Sequence, residues 1–330
     1  FSGRIKITNS ERYSIVIRPM NKHISKLLLV AISSTFFSTA ICAQHGKYVG
    51  GDISMLPQYE KHNSPYLDAN SQPIDDLITW LIEECGWNTF RIRLFVDPYN
   101  PTDPCVCQDL EYVKQLGKRI KDAGAYFMLD YHYSDSWVDA THIQAPRAWK
   151  DCTVDQKVDS ITAYTRTTLQ ELIAYGATPD MVQVGNEIMY GFMGVSVHPY
   201  ANAADDWDGF LKILKAGCLT VREMLPNAQI IIHTDRLSNQ KYNQFYYGKL
   251  VENGVDFDVI GLSYYPFWHG FLNDLKTGLD GIKRDFPEKR VHIVETGYYF
   301  QYWPSKGVNY NTSTVWPATP LGQYNCMKDL

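Results

Sequence analysis

The sequence has no surplus of positive charge. Its 31 Lys and Arg are set against 36 Asp and Glu, for a net charge of −5. A nucleic-acid surface would need a basic patch or stripe, so no nucleic acid is expected as a partner. Its 9 His and 7 Cys do not gather at zinc-ligand spacing, which argues against a structural metal centre, and no cofactor is expected. From Lys47 onward there is no composition break and no linker. At 330 residues the chain could hold two average domains, but the lack of a boundary favours one large domain over 44–330. Only one long apolar run exists, Leu27–Ala43. At about 17 residues it is marginal for a bilayer span.

That run has a different reading. Met20–Lys26 is short and basic, the apolar stretch follows, and Ser38, Ala40 and Ala43 are small. This order is that of a secretory signal peptide over 20–43, with cleavage near Ala43. Ser33, Ser34 and Thr35 interrupt the run and no basic stop follows it, so no transmembrane span is expected once the signal is removed. Cys42 would suit a lipid anchor, but Ile41 before it is too large for such a site. The protein is expected to be exported, whether periplasmic, on the cell surface or extracellular. Phe1–Pro19 precede Met20 and read as a non-native upstream segment. Without Cys42, six cysteines remain at 85, 105, 107, 152, 218 and 326 in a disulfide-permissive setting. Cys105 and Cys107 are too close to bridge each other, either could reach Cys152, and the pairing stays open.

Strand-like and helix-like segments alternate through the rest. Apolar runs at Tyr48–Met55, Thr89–Val96, Ala125–Tyr131, Met181–Asn186, Ala228–His233, Phe257–Tyr264 and Val291–Glu295 read as buried strands. Helical periodicity separates them, punctuated by Gly86, Gly124, Gly176 and Asn253-Gly254. Seven β-then-α units with crossover-length helices demand a parallel sheet. Polar residues cluster at the C-terminal ends of nearly all the strands, which favours a barrel. A barrel of this kind closes with an eighth strand, and none is legible after Thr314–Trp316. The expectation is an α/β (β/α)8 TIM barrel, C-terminally truncated with its eighth strand missing.

Two strands end in glutamate: Met181-Val-Gln-Val-Gly-Asn-Glu-Ile188 and Val291-His-Ile-Val-Glu-Thr-Gly297. Glycoside hydrolysis needs an acid at the leaving oxygen and a carboxylate at the anomeric carbon. Glu187, leaving a buried strand, suits the acid/base, and Glu295 suits the nucleophile. Either alone could be a strand cap, but two at strands four and seven point to catalysis. Asn186 is placed to bond a sugar hydroxyl. Arg91 and Arg93 share a face of strand two and need carboxylate partners there: Glu295, or in a structural reading Asp52 or Asp130. Asp130 and His132 share a face at the end of strand three, where His132 could hold a carboxylate or a sugar hydroxyl. Tyr264 and Tyr265 end strand six, where a tyrosine hydroxyl can bond the nucleophile. Aromatic residues make up 14% of the chain. Most such rings are half-buried packing residues, yet Trp137, Trp207, Trp268 and Trp303 fall on loops or element ends at the expected active face and are candidates for sugar stacking.

Six segments together resemble glycoside hydrolase family 53, the endo-β-1,4-galactanases of clan A. They are Gly50-Gly-Asp-Ile-Ser-Met-Leu-Pro57, Arg91-Ile-Arg-Leu-Phe-Val-Asp-Pro98, Leu129-Asp-Tyr-His-Tyr-Ser-Asp-Ser-Trp137, Val184-Gly-Asn-Glu187, Gly261-Leu-Ser-Tyr-Tyr-Pro-Phe-Trp268 and Val294-Glu-Thr-Gly297. The resemblance spans about Lys47 to Gln323. It implies a retaining mechanism with Glu187 as acid/base and Glu295 as nucleophile. It also implies β-1,4-galactan, the galactose side chains of pectin, as the polysaccharide substrate. The residues expected to bind that substrate are Asp52, Arg91, Arg93, Asp130, His132, Trp137, Asn186, Tyr264, Tyr265, Trp268 and Trp303. The chain departs from the family in two places: the last strand's aromatic residue is absent, and the loop Ile188–His198 has no Trp-Pro element. Some bacterial members carry a structural calcium in the late loops, for which no ligand set is legible here. The protein is expected to act as a monomer. The competing readings are another clan-A endo-β-glycanase, such as a mannanase or glucanase, and a glycan-binding barrel without catalysis. Retention of both glutamates and Arg91 argues against the latter.

Overall fold

The computed structural model describes residues 47–198, 204–303 and 307–330. The segment 1–19, the signal-like segment 20–43 and Cys42 lie outside them.

Seven parallel strands form one sheet in chain order: β1 (Gly50–Asp52), β2 (Thr89–Leu94), β3 (Tyr126–Tyr131), β4 (Met181–Val184), β5 (Gln229–Thr234), β6 (Val259–Tyr264) and β7 (Arg290–Thr296). The crossovers are carried by α1 (Leu77–Cys85), α2 (Leu110–Asp122), α3 (Val154–Tyr175), α4 (Trp207–Met224), α5 (Gln240–Glu252) and α6 (Leu272–Asp285), and α7 (Pro320–Asp329) follows β7. Local chemistry sets their ends. Asp76 caps the first turn of α1, and Gly86 leaves its last turn in the left-handed conformation. Thr153 and Gln156 form a reciprocal capping box on α3, which Gly176 terminates.

Side chains alternate between two environments, as the period of two requires. Phe90, Ile92 and Leu94 of β2, Phe127, Leu129 and Tyr131 of β3, and Val182 and Val184 of β4 belong to the core between sheet and helices. Met128, Met181, Ile231 and Val259 form a separate small cluster with Tyr48, Tyr126 and Val294, the apolar floor of the barrel interior. Above that floor the interior turns polar, with Arg91, Asp130, Gln183, His233 and Ser263 all buried. The site is built there, at the strands' C-terminal ends.

Strand β7 departs from strict alternation. Leu262 pairs with Ile293 but Ser263 pairs with Glu295, so Val294 is an extra residue. A bulge of this kind re-aims the side chain that follows, and here it sets Glu295 opposite Ser263. Among the described residues β7 pairs with β6 alone, and β1 and β7 approach each other without pairing. The six described cysteines carry no disulfide. No helix among the described residues is long and apolar enough to cross a membrane.

Candidate active site

The polypeptide leaves β4 through a strained turn. Gly185 has φ 85°, and Glu187 follows in the left-handed region at φ 45°, ψ 48°, a conformation that costs a non-glycine residue on the order of 1–2 kcal/mol. The surroundings enforce it. Ile188 and Met189 behind it are fully buried, and Tyr246 and Tyr242 of α5 donate hydroxyl hydrogen bonds to their carbonyls. The glutamate is thereby thrown over the barrel mouth instead of continuing the strand.

Glu187 and Glu295 face each other there. One carboxylate oxygen of each, together with a ring nitrogen of His233, lie within 4.8 Å of one another. The two carboxyl groups are in opposite electrostatic states. Burial, reinforced by the charge of Glu295, pushes Glu187 up to about 8. Burial would raise Glu295 too, but the Arg91 guanidinium, with help from the Tyr265 hydroxyl, holds it below the ordinary carboxylate range. Arg91 Nη2 donates to Glu295 Oε1 at 2.8 Å, and the Tyr265 hydroxyl donates to Oε2 at 3.0 Å. At neutral pH the pair therefore shares one proton, and Glu187 holds it.

Arg91 is the hub beneath them. Its Nη2 also donates to Asp130 at 2.8 Å and to Asn186 Oδ1 at 2.9 Å, and its Nη1 donates to Asp52 at 3.1 Å. Arg93 lies 3.6 Å from Asp52 and stacks its guanidinium over the Trp137 ring at 4.4 Å, while the Trp137 indole N–H donates to Asp103. The cleft encloses about 550 Å³. Asp52, Arg91, Arg93, His132, Trp137, Asn186, Glu187, Tyr265 and Glu295 line it, joined by Trp87 and by Met327 of α7.

Not every expected contact residue reaches that cleft. Asp130 has no exposed surface. Arg91, His132 and Gln183 consume its oxygens, so it neutralises Arg91 instead of touching a ligand; Arg91 in turn holds its carboxyl down to about 2 against the effect of burial. His132 has both nitrogens engaged, by Asp130 and by the Val138 N–H, which leaves only ring edge for the cleft. Tyr264 points the other way. It sits in the outer core and donates to the Gly270 carbonyl, because it alternates with Ser263, which faces inward. Trp268 is 44% exposed and meets the site only through the ring of Tyr265 at 5.3 Å. Trp303 packs on Phe267, Tyr298 and Tyr299, and Trp207 lodges against Phe210 and Phe245; neither lines the cleft. Asn186 does line it, but its Oδ1 already accepts from Arg91, Gln183 and His233, and its Nδ2 donates to the Val138 carbonyl. One N–H remains for a ligand.

Sequence reasoning missed Trp87 and Met327 of the cleft wall and two polar residues beside the glutamates. His233 and Ser263 stand one residue before the ends of β5 and β6; Ser263 Oγ lies 2.6 Å from Glu187 Oε1 and 2.9 Å from His233 Nε2. The signal was present in Ala228-Gln-Ile-Ile-Ile-His233, where a histidine closes an otherwise apolar run. Glu187, His233 and Glu295 are also the cluster that the described residues offer a metal ion. Its donor atoms are already engaged, by Ser263 and Asn186 on His233 and by Arg91 and Tyr265 on Glu295.

The chain is similar to known proteins. The family model described as glycosyl hydrolase family 53 matches residues 48–330. The endo-beta-1,4-galactanase of Bacillus subtilis is 29% identical over 85% of this chain and 65% of its own length, so the chain spans just under two thirds of that relative. The probable arabinogalactan endo-beta-1,4-galactanase A of Neosartorya fischeri is 32% identical over 76% of this chain and 69% of its own length. Among solved structures, the Ignisphaera aggregans GH53 catalytic domain superposes with a TM-score of 0.75 at 29% identity, covering 85% of this chain and 78% of that one.

Proposed function

The chain belongs to glycosyl hydrolase family 53, and from that membership we propose that it is a retaining endo-β-1,4-galactanase, with Glu187 as acid/base and Glu295 as nucleophile. The names of the Bacillus and Neosartorya relatives support the substrate. The observation that carries the mechanism is the carboxylate separation. One oxygen of each carboxyl lies within 4.8 Å of the other, the close approach of a retaining pair, at about 5–5.5 Å between carboxyl groups, where an inverting pair stands roughly 6.5–9.5 Å apart around a water.

The reaction then runs in two balanced steps. The Glu295 carboxylate forms a bond to the anomeric carbon as the glycosidic C–O bond breaks, and the departing oxygen takes the proton of Glu187. A water then attacks the galactosyl ester, Glu187 receives the water's proton, and the ester bond breaks to free Glu295. Arg91 and the Tyr265 hydroxyl keep the nucleophile ionised before attack and stabilise it as a leaving group afterwards. Trp137, Trp87 and the free N–H of Asn186 would hold the sugar ring. The signal-like segment 20–43 supports an exported enzyme, and the galactan side chains of pectin are the natural form of such a substrate.

Glu187→Gln and Glu295→Gln should each lower galactan hydrolysis at least about a thousandfold, read as released reducing sugar. Proton NMR of the first product should show the β-anomer. An α-anomer, or faster turnover of mannan or β-glucan than of galactan, would overturn the mechanism or the substrate respectively.

A further inference from the structure

We propose that His233 and Ser263 form a reversible hydrogen-bond relay that stabilises Glu187 in whichever protonation state the next step needs. The proposal rests on the acid/base role of Glu187 given above.

The directions of the hydrogen bonds follow from the partners. His233 Nδ1 lies 3.0 Å from Asn186 Oδ1, which can only accept. The orientation of that amide is set by Nδ2, which donates to the Val138 carbonyl at 2.8 Å, and by Arg91, which donates to Oδ1. Nδ1 must therefore carry a hydrogen. Burial holds the ring neutral, down to about 4, so Nε2 is a bare acceptor. The group beside Nε2 is Ser263 Oγ at 2.9 Å, which must then donate to it. A hydroxyl has one hydrogen. With that hydrogen committed to His233, the 2.6 Å contact between Ser263 Oγ and Glu187 Oε1 is a hydrogen bond only if Glu187 supplies the proton. The chain closes without conflict in one state, the one with Glu187 as an acid.

The same hydroxyl serves the other state. When Glu187 has given its proton to the departing oxygen, the Ser263 hydrogen turns from His233 Nε2 to the new carboxylate. No proton leaves Ser263; only its C–O torsion changes. When Glu187 takes a proton from the attacking water, the hydroxyl turns back. His233 thus favours the acid, and Ser263 supports the base. Ser263 can do this because the Val294 bulge brings it level with Glu295, beside the reacting carboxylates. The other ionisable groups facing Glu187 are Glu295 from β7, Asp235 after β5, Asp139 in the loop after β3, and Tyr265 after β6. None of them forms a hydrogen bond to it, so the relay is the one adjustable contact among the described residues.

The two partners must therefore push Glu187 in opposite directions, which a purely structural role would not do. His233→Asn keeps an N–H for Asn186 but removes the acceptor at Nε2. Ser263 is then free to donate to the carboxylate, and the proton affinity of Glu187 should fall about tenfold. Ser263→Ala removes both the acceptor for the acid and the donor to the carboxylate; the charge-assisted bond to the carboxylate is the stronger of the two, so the affinity should rise, by less than the fall in His233→Asn. Ser263→Thr, with its hydroxyl, should restore the parent value. The measurement is a carbon-13 NMR titration of glutamate-labelled free protein, with Glu187 assigned by Glu187→Gln; it needs no substrate and so stands whether or not galactan is hydrolysed. Opposite shifts with threonine rescue support the relay. Shifts in the same direction, or none, overturn it. Should His233→Asn fail to fold, the nitrogen-15 spectrum of the parent ring decides: a hydrogen on Nε2 instead of Nδ1 sinks the proposal.

Discussion

Arg91 has to be buried, charged and held still, and those demands are met only collectively. A guanidinium out of water is costly unless its hydrogens meet carboxylates, and Asp52, Asp130 and Glu295 surround it at 2.8–3.1 Å. Of the three, Asp130 is the one wholly shut off from the cleft, so it works for the fold and only through Arg91 for the site. Its carboxyl is held to about 2, below its ordinary value of 3.8. A carboxyl whose folded value is depressed adds stability that is fully present above the ordinary value and disappears as pH falls through the folded one. Asp130→Asn should therefore cost about 2 kcal/mol at pH 7. The deficit should shrink between pH 4 and pH 2, as seen by urea denaturation across that range. An equal deficit at pH 7 and pH 2 would mean that packing, not charge, is what Asp130 supplies. Glu187 has the reverse sign. Its folded value lies above the ordinary carboxylate value, so its ionisation opposes folding as pH rises from about 4.5 to 8, a penalty that the acid role entails.

At the scale of elements, two backbone devices aim the glutamates, and they differ in how far the sequence announces them. The turn after β4 is legible: Val-Gly-Asn-Glu ends an apolar run with a glycine, and Gly185 does adopt φ 85°. A Cβ at Gly185 would meet Ile188 Cγ2 at 2.6 Å and Phe192 Cε2 at 3.0 Å, on top of the left-handed backbone cost. Gly185→Ala should thus remove about 2 kcal/mol or more of stability. It should lower kcat further than the loss of folded protein explains, because Glu187 moves with the turn. A thermal melt paired with kcat on the folded fraction checks both, and unchanged kcat would separate the turn from catalysis. The bulge in β7 is not legible. Val291 and Ile293 pack outward, and a strict period of two would carry Glu295 outward with them; only the extra residue at Val294 reverses it. Strand and helix positions could be read because burial writes hydrophobicity into the chain at regular spacing. Register shifts and hydrogen-bond direction leave no such trace. Tyr264 is the intermediate case, since its alternation with Ser263 would have placed it in the outer core had Ser263 been recognised as facing inward.

For the molecule as a whole, the nucleophile sits on a strand less buried than the strands in the middle of the sheet. β3 carries Asp130 and is flanked by β2 and β4 along its length, with all but its first residue buried. β7 carries Glu295 and is half-buried up to that residue, with Thr296 exposed. Amides on a partly buried strand open at lower cost than those on a fully buried one. Yet Glu295 must be held within a fraction of an ångström of its partner for attack. The side chain is anchored from other strands: Arg91 reaches it from β2 and Tyr265 from the end of β6. Hydrogen–deuterium exchange should therefore find β7 at least about tenfold faster than β3 and β5. A bound galacto-oligosaccharide should slow β7 more than either, since it adds contacts to Glu295 from above. Removing the anchor by Arg91→Met should speed β7 further while leaving β5 unchanged. Equal exchange across the three strands in the parent protein would show that β7 is stiff on its own, and that Arg91 is there to set the charge of the nucleophile and not its position.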